Sequence, residues 1–238
     1  PKNMFWEDPS IRYARPIRWL VALWGEEVLP FRFGSISTGR VTRGHRFMGD
    51  RQLEIPAPRH YMDILFANCV IVDPAKRREK MLTAISALEK ELGGKADLDP
   101  ELVEENLFLV EFPVPFTGSF DRAFLDIPQE VLTTSMKHHQ KYFPVRDRGG
   151  SLMPYFIGIS NNQATSMNTV REGNERVLRA RLSDADFFWR EDQKKPLAEK
   201  VDELKAVVYQ ERLGSVYDKV MRVRRAALEM AERVPSIL

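Results

Sequence analysis

The chain has 238 residues, of which 43% are hydrophobic, and this size and composition predict a folded protein with one large domain or two smaller ones. A single cysteine, Cys69, excludes an intramolecular disulfide framework and a multi-cysteine zinc site, so we expect a reducing compartment, by default the cytoplasm. No apolar run is long enough to cross a bilayer, no hydrophobic signal region follows Pro1, and a net charge of +2 is too small to indicate nucleic acid by itself.

Residues 1–104 are predicted to form an N-terminal α+β region. The apolar run at residues 15–28, which is ended by the segment that starts at Gly25, predicts a hairpin or a helical turn that leads into a strand. Residues 39–51 are rich in Gly and Arg and have little apolar periodicity, which indicates a basic loop.

Residues 55–95 are predicted to form a small α/β unit within that region. Apolar residues recur at helical spacing in two segments, and a short apolar run lies between them. Gly93 and Gly94 are typical of the cap at the end of a helix. The predicted elements are helices at 58–67 and 74–92 and a buried strand at 69–72.

Residues 105–165 are predicted to form a second, strand-rich α+β region. Pro113 and Pro115 interrupt an aromatic run and favour an edge strand, because proline cannot donate a ladder hydrogen bond. Gly149 and Gly150 predict the turn of a hairpin. The predicted elements are an extended segment at 107–120, a helix at 128–139 and strands at 141–146 and 154–160.

Residues 166–238 are predicted to be helical, with Pro196 and Gly214 between the helices. The expected helices are 174–190, 197–210 and 215–234. The predicted fold class is therefore α+β, with mixed or antiparallel sheet regions and packed helices, followed by a helical C-terminal segment.

The loop at residues 39–51 carries the densest positive charge in the chain. Asp50 is the single acid among its residues, and its glycines would let the backbone approach a phosphate closely. Loops of this kind also arise as solvated connections, and the sequence supports both interpretations equally. The candidate RNA-binding residues here are Arg40, Arg43, His45 and Arg46.

A second candidate segment, residues 135–145, mixes cations with aromatic side chains. RNA can pair its phosphates with such cations and stack its bases on such rings. Alternatively, the aromatic residues belong to the core or its edge and the charges face solvent. The sequence supports the two interpretations equally. Adjacent histidines point to different sides of a helix or strand, so no metal site is expected. The candidates are Lys137, His138, His139, Lys141 and Tyr142.

The third candidate is the helix that follows Gly173. Asn174 is a good N-cap residue, and the N–H groups and partial positive charge of a helix N-terminus favour phosphate. The alternative is a solvated face on which arginines pair with Glu172 and Glu175. The candidates are Arg171, Asn174, Arg176 and Arg179.

The sequence contains no signature of a common catalytic site. The motifs GxGxxG, GxxxxGK, HExxH and GxSxG are absent. Cys69 lies in an apolar run and is better explained as a small buried hydrophobe than as a nucleophile. A hydrolase or nuclease that uses His45, His138 or His139 would need clustered carboxylates or a metal, which the spacing does not offer. We expect no catalytic residue and no metal ligand.

Seven long segments occur in a fixed order along the chain: PKNMFWED, RPIRWLVALWG, VTRGHRF, IVDPAKRRE, VEFPVPFTGSFDRAFLDIPQEVLTTSMKHHQKYFPV, GNERVLRARLSDADFFWREDQK and YQERLGSVYDKV. In sequence and in order they resemble the β subunit of bacterial heterotetrameric glycyl-tRNA synthetase. Met48 stands where that family pattern leads us to expect a histidine, and Lys141 stands in place of an arginine. Lysine lacks the planar two-pronged grip of arginine on phosphate, so a bidentate contact at Lys141 is in doubt.

The resemblance implies an enzyme of two α and two β subunits, in which α carries the class II site that activates glycine with ATP and Mg²⁺. The β subunit holds tRNA-Gly, so this chain is expected to bind no cofactor and to serve glycine–tRNA ligation without a catalytic site. By the same resemblance the β subunit continues into an HD-type domain and an anticodon-binding domain. We therefore expect this chain, which starts at Pro1 without a methionine, to be a fragment that contacts the acceptor arm or elbow.

The predicted function is RNA binding by the three basic segments. The expected partners are tRNA-Gly and the α subunit, with neither a membrane nor DNA among them. The alternative is an interaction scaffold that docks the α subunit and other β domains without touching tRNA.

Overall fold

The structure, a computed structural model, describes residues 3–6, 8–163 and 166–233 and confirms the predicted α+β class. Contacts divide the chain into two compact units, Pro1–Ser183 and Asp184–Leu238. The limits predicted at residues 104 and 165 stay predictions.

The first unit begins with short strands that pair in small sheets. Strand β3 pairs in parallel with β7, β7 pairs antiparallel with β6, and β4 forms an antiparallel hairpin with β5. Gly25 has a φ of 59° in the turn of that hairpin, which confirms the hairpin predicted in this segment. The strands are β1 (Met4–Trp6), β2 (Asp8–Tyr13), β3 (Leu20–Val21), β4 (Leu23–Trp24), β5 (Glu27–Val28), β6 (Arg32–Phe33), β7 (Ile36–Gly39), β8 (Val41–Thr42) and β9 (Leu53–Glu54).

Two helices follow, and both predicted helices are confirmed. A 3₁₀ turn over Pro58–His60 leads into α1 (Tyr61–Ala67), and α2 covers Pro74–Leu92. The carboxylate of Asp73 accepts a hydrogen bond from the N–H of Ala75 at 2.8 Å, which caps the start of α2. Gly93 has a φ of 67° and ends α2 in the left-handed conformation that glycine adopts without strain.

The strand predicted at residues 69–72 is wrong. Cys69 has a φ of 59°, outside the extended region, because the chain turns sharply after α1. The N–H of Ile71 donates to the carbonyl of Glu111 at 3.0 Å, so the segment packs as an irregular connection.

The rest of the first unit is built on a four-stranded antiparallel sheet with the order β10-β12-β13-β11. The predicted hairpin and the predicted edge strand are both confirmed, although residues 107–109 still belong to a helix. The elements are β10 (Lys95–Ala96), α3 (Pro100–Leu109), β11 (Val114–Ser119), α4 (Gln129–Thr134), a π-helical turn (Ser135–Gln140), β12 (Phe143–Arg146), β13 (Leu152–Ser160) and α5 (Met167–Asp192).

Strand β13 joins two hydrophobic cores. Successive residues of a strand point to opposite faces, so Phe156 enters one core and Ile157 enters the other. The Phe156 core contains Leu132 of α4 and Leu178 of α5. The Ile157 core is completed from α2 and α3 by Met81, Ile85, Leu102, Val103 and Leu107.

Within residues 184–233, the second unit contains the end of α5, two further helices and a small hairpin. The helix predicted at 197–210 is shorter than expected, because its last residues form a strand of that hairpin. The carboxylate of Asp218 accepts hydrogen bonds from the N–H and the hydroxyl of Ser215, both at 2.8 Å. These bonds lower the pKa of Asp218. The elements are α6 (Leu197–Glu203), β14 (Val208–Gln210), β15 (Gly214–Ser215) and α7 (Val216–Arg233).

Two glycines allow aromatic rings to lie across the β11–β13 pair. Gly118 faces Phe156 and Gly158 faces Phe116 on the neighbouring strand. A Cβ added to either glycine would collide with the ring opposite. Phe156 is fully buried and also packs on Tyr142, so its ring has no room to move aside.

We expect Gly118→Ala to lower the free energy of unfolding by about 2 kcal/mol, because the added methyl group overpacks the core against Phe156. Urea denaturation followed by circular dichroism measures this. The matched control is Gly173→Ala, within α5, where a Cβ meets nothing within 4 Å and where alanine should raise stability by about 0.5–1 kcal/mol. Equal stability of Gly118→Ala and the parent chain would contradict the packing described.

Candidate nucleic-acid interface

The basic loop is folded around the side chain of His45, which is 1% exposed. The Nδ1 atom of His45 accepts the backbone N–H groups of Phe47 and Met48, each at 3.3 Å. The N–H of His45 donates to the carbonyl of Asn68 at 2.9 Å. The prediction that His45 binds phosphate is therefore wrong: its ring is buried, and its Nδ1 is occupied in shaping the loop.

Asn68 holds the other end of this loop. Its side-chain carbonyl accepts the N–H of Asp50 at 3.0 Å, and its amide group donates to the carbonyl of Ile64 at 2.9 Å. Gly44 and Gly49 pack so closely against Asn68 that a Cβ on either would clash with it. The glycines thus serve the packing of an ordered loop, and α1 fixes its position through Asn68.

Two arginines and one aromatic ring project from the outside of this loop. The guanidinium of Arg46 lies 5.5 Å from the ring centre of Phe47, and that of Arg43 lies 4.6 Å from the ring of Trp19. Arg43 and Arg46 are exposed, as is Phe47 at 71%. We call Arg43, Arg46 and Phe47 the loop tip. Arg40 differs, because it donates to the carbonyl of Glu26 at 2.7 Å and lies 4.0 Å from the carboxylate of Glu54.

The lysines of the second candidate segment are engaged in ion pairs. Lys137 lies 3.0 Å from the carboxylate of Asp97 and 3.7 Å from that of Asp99. The pKa of Asp99 is lowered, chiefly by a hydrogen bond from the N–H of Leu102 and further by Lys137. Lys141 lies 2.8 Å from Glu105. Both lysines are only partly exposed, so phosphate would have to compete with these carboxylates.

His138 and His139 are exposed on the π-helical turn of the same segment. Neither lies within the hydrophobic cores of the described residues. Their role in RNA binding stays a prediction.

Tyr142 belongs to the core. The prediction that its ring stacks on RNA bases is therefore wrong. It is 5% exposed, and its ring stacks on Phe156 with centroids 4.4 Å apart and an interplanar angle of 18°. Its hydroxyl donates to the side-chain carbonyl of Asn174 at 2.5 Å. Burial raises the pKa of Tyr142 to about 12.

Asn174 is not an N-cap, because α5 begins at Met167 and continues through this position. Its amide group donates to the carbonyl of Val170 at 2.7 Å, one turn earlier in the helix. The side chain therefore ties α5 to Tyr142. The argument for a phosphate site at a helix N-terminus near Arg176 loses its basis, since the N–H groups there are bonded within the helix.

Arg171, Arg176 and Arg179 are exposed along α5. One carboxylate oxygen of Glu175, a residue that the solvated-face interpretation pairs with these arginines, accepts the N–H and the hydroxyl of Ser119 at 2.8 and 3.0 Å. These arginines stay candidates on the basis of exposure and charge alone.

Among residues 3–6, 8–163 and 166–233, no group of three or more His, Cys, Asp or Glu side chains could hold a metal ion. Within the same ranges, no helix is both long enough and apolar enough to cross a membrane.

Comparison with known proteins gives one consistent family. The family model described as glycyl-tRNA synthetase beta subunit matches residues 1–237. The chain is 46% identical to the glycine–tRNA ligase beta subunit of Halothermothrix orenii over 232 residues, which are 98% of this chain and 34% of that protein. It is 45% identical over 238 residues to that of Syntrophotalea carbinolica, covering 100% of this chain and 35% of the relative. It is 44% identical over 234 residues to the glycine–tRNA ligase beta subunit of Bacillus subtilis, covering 98% of this chain and 34% of that protein. The chain thus spans about a third of the length of the curated relatives it matches.

We expect the pKa of Tyr142 to govern part of the stability at alkaline pH. The unfolded chain releases the phenol proton near pH 10, whereas the folded chain keeps it until about pH 12. The free energy of unfolding should therefore fall as pH rises from about 10 to 12, by roughly 2–3 kcal/mol in total. Urea unfolding at pH 9–12 measures this, with Tyr142→Phe as the reference, and identical pH dependence of the two proteins would refute the assignment.

We expect His45→Ala to loosen the loop, because the N–H groups of Phe47 and Met48 lose their acceptor. Hydrogen exchange at the amides of residues 44–50 should become about tenfold faster, which corresponds to about 1.4 kcal/mol. The matched control is His139→Ala, at an exposed histidine, which should leave exchange in the loop unchanged. A loop that exchanges equally slowly without His45 would show that other contacts hold it.

Proposed function

This chain belongs to the glycyl-tRNA synthetase β-subunit family, and on that premise we propose that it contributes an RNA-binding surface to a glycine–tRNA ligase. The RNA is tRNA-Gly, which this part of the β subunit positions through its acceptor arm or elbow. The α subunit of the same enzyme supplies the site that binds ATP and Mg²⁺ and attaches glycine. This chain takes no part in the chemical step.

The observation that supports this proposal best is the construction of the loop tip. Hydrogen bonds to the side chains of His45 and Asn68 hold the loop in shape, while Arg43, Arg46 and Phe47 are exposed. A preordered loop loses little conformational entropy when it binds, so its cations can meet phosphates at low cost. Exposed guanidinium groups beside an aromatic ring match the two parts of a nucleotide, phosphate and base.

Affinity in this proposal comes mainly from phosphate contacts. Each phosphate that an arginine neutralises releases condensed counterions, so binding weakens as salt rises. Arg171, Arg176 and Arg179, together with His138 and His139, are further exposed candidates for such contacts. Lys137 and Lys141 contribute less, because carboxylates already pair with them.

A second candidate function is protein contact, which the exposed aromatic residues of the N-terminal strands favour. Trp24 is 78% exposed at the end of β4, and Phe31 is 53% exposed beside β6. Apolar side chains of this size are common at the centres of protein interfaces. In this alternative the strands dock the α subunit or other β domains, and the salt dependence of the complex is small.

We expect Arg46→Glu, in the full β subunit assembled with α, to weaken binding of tRNA-Gly about tenfold at roughly 0.1 M salt. The slope of log affinity against log salt should decrease by about one, because one phosphate contact is lost. Fluorescence anisotropy of labelled tRNA-Gly at several salt concentrations measures both quantities.

The matched control is Arg122→Glu, which reverses an exposed charge of the same unit at the start of a 3₁₀ turn that is not part of the loop. It should change affinity less than twofold beyond the general effect of net charge, as surface substitutions usually do. Equal effects of the two substitutions, or no effect of Arg46→Glu, would count against the loop tip as a phosphate site and in favour of protein contact.

A further inference from the structure

A groove lies beside the loop tip and is not used by the phosphate contacts proposed above. It has a volume of about 400 Å³. Its lining is mainly apolar and includes Trp19, Thr42, Ile55, Pro58 and Tyr61. Strands β3 and β8 and the start of α1 contribute these residues or their neighbours, so the groove is formed entirely within the first unit.

The indole ring of Trp19 is held in place along one wall of this groove. Its Nε1–H donates to the hydroxyl of Thr42 at 3.1 Å, and Thr42 is buried. The guanidinium of Arg43, the residue after Thr42, lies 4.6 Å from the centre of the indole ring. Trp19 nevertheless remains 39% exposed. A ring that is oriented by a hydrogen bond and still accessible can stack a planar ligand without first being ordered.

The groove has the chemistry that an unpaired nucleobase requires. Ile55 is fully buried, and Pro58 and Tyr61 add apolar and aromatic surface, so a base could leave water there. The volume falls within the range of small-molecule sites. A base in a paired helix has both of its faces stacked and could not enter, so the occupant must come from a loop, a bulge or an end.

Charge at the rim favours a nucleotide over an uncharged ligand. Arg18 and Arg43, which flank the groove residues Trp19 and Thr42 in sequence, are exposed. Two acids, Glu26 and Glu54, pair with other arginines. The carboxylate of Glu26 lies 3.9 Å from Arg59, and that of Glu54 lies 4.0 Å from Arg40. The arginines next to the groove are thus placed to meet the phosphate that accompanies a base.

We propose that this groove receives one unpaired nucleotide of the bound RNA, with its base against Trp19 and its phosphate beside Arg43. This inference rests on the proposed function, because it deepens RNA binding at the same loop. Arg43 then joins the two sites: it contacts the tryptophan that stacks the base, and it belongs to the loop tip that contacts the backbone. The groove selects RNA with an accessible single-stranded position over continuous duplex.

The test compares two RNA probes on the full β subunit assembled with α. One probe is a tRNA-Gly transcript, and the other is a fully paired, blunt-ended RNA duplex. Trp19→Leu keeps an apolar side chain but removes the stacking surface, so affinity for the tRNA should fall about tenfold, a typical loss for one stacked base. Affinity for the duplex should change less than about twofold. Trp19→Phe retains an aromatic face and should restore most of the affinity for the tRNA.

A cross-linking measurement locates the base directly. 5-Iodouridine is placed singly at unpaired positions of the tRNA-Gly transcript, the complex is irradiated, and the modified peptides are identified by mass spectrometry. We expect a cross-link to Trp19 or Tyr61 from at least one unpaired position. Absence of any such cross-link from all unpaired positions would overturn the proposal.

The outcomes separate this inference from the proposed function. If Trp19→Leu leaves both affinities unchanged while Arg46→Glu weakens binding, the groove is not a nucleotide site and the proposed function stands. An equal loss for tRNA and duplex also overturns the inference, because it indicates a structural role for Trp19. Loss of assembly with α in Trp19→Leu, with RNA affinity intact, would instead identify the groove as a protein interface. If Arg46→Glu has no effect either, the proposed function itself fails.

Discussion

Burial of strand β13 on both faces holds the larger unit together. Phe156 and Ile157 are neighbours in sequence, yet each lies at the centre of a different hydrophobic core. Helices α2 and α3 cover one face of the sheet, and α4 and α5 cover the other. The ring of Phe156 lies against Gly118 and stacks on Tyr142, so the packing around it tolerates little change in volume.

The basic loop is organised by a different principle, because after β8 its residues 43–51 form no strand or helix. Polar groups shape it from inside: His45 accepts two backbone N–H groups, and Asn68 accepts a third while donating to α1. Since these bonds are directional, they determine one conformation more strictly than apolar contact would. The exposed side chains of Arg46 and Phe47 are then free to serve binding. One short segment thus contains both the buried side chain that shapes the loop and the exposed side chains of the proposed binding surface.

The cationic side chains of the chain also fall into two groups: some are buried or paired within the fold, and others are exposed. Arg77 is buried and donates to the carbonyls of Leu107 and Ile71, and Lys137 bridges two carboxylates. The arginines of the loop tip and of α5 remain exposed. A net charge of +2 therefore gives little indication of how many cations are available to an anionic partner. For these reasons the loop tip, rather than the segment around Lys137, carries the proposed function.

The sequence by itself determined the features that depend on near neighbours. Helix α2 was predictable from its apolar spacing and its terminating glycine, Gly93, and the β12–β13 hairpin was predictable from the glycines of its turn. The motifs of the chain likewise indicated its family. Only the tertiary structure decided which polar and aromatic residues are available to a ligand. Tyr142 is buried because its ring packs on Phe156 in the core, where Asn174, 32 residues away, accepts its hydroxyl, and His45 is buried in a loop closed by Asn68. A cation or ring in a sequence must be solvated, paired or packed, but its partner is chosen by long-range packing that local patterns do not contain.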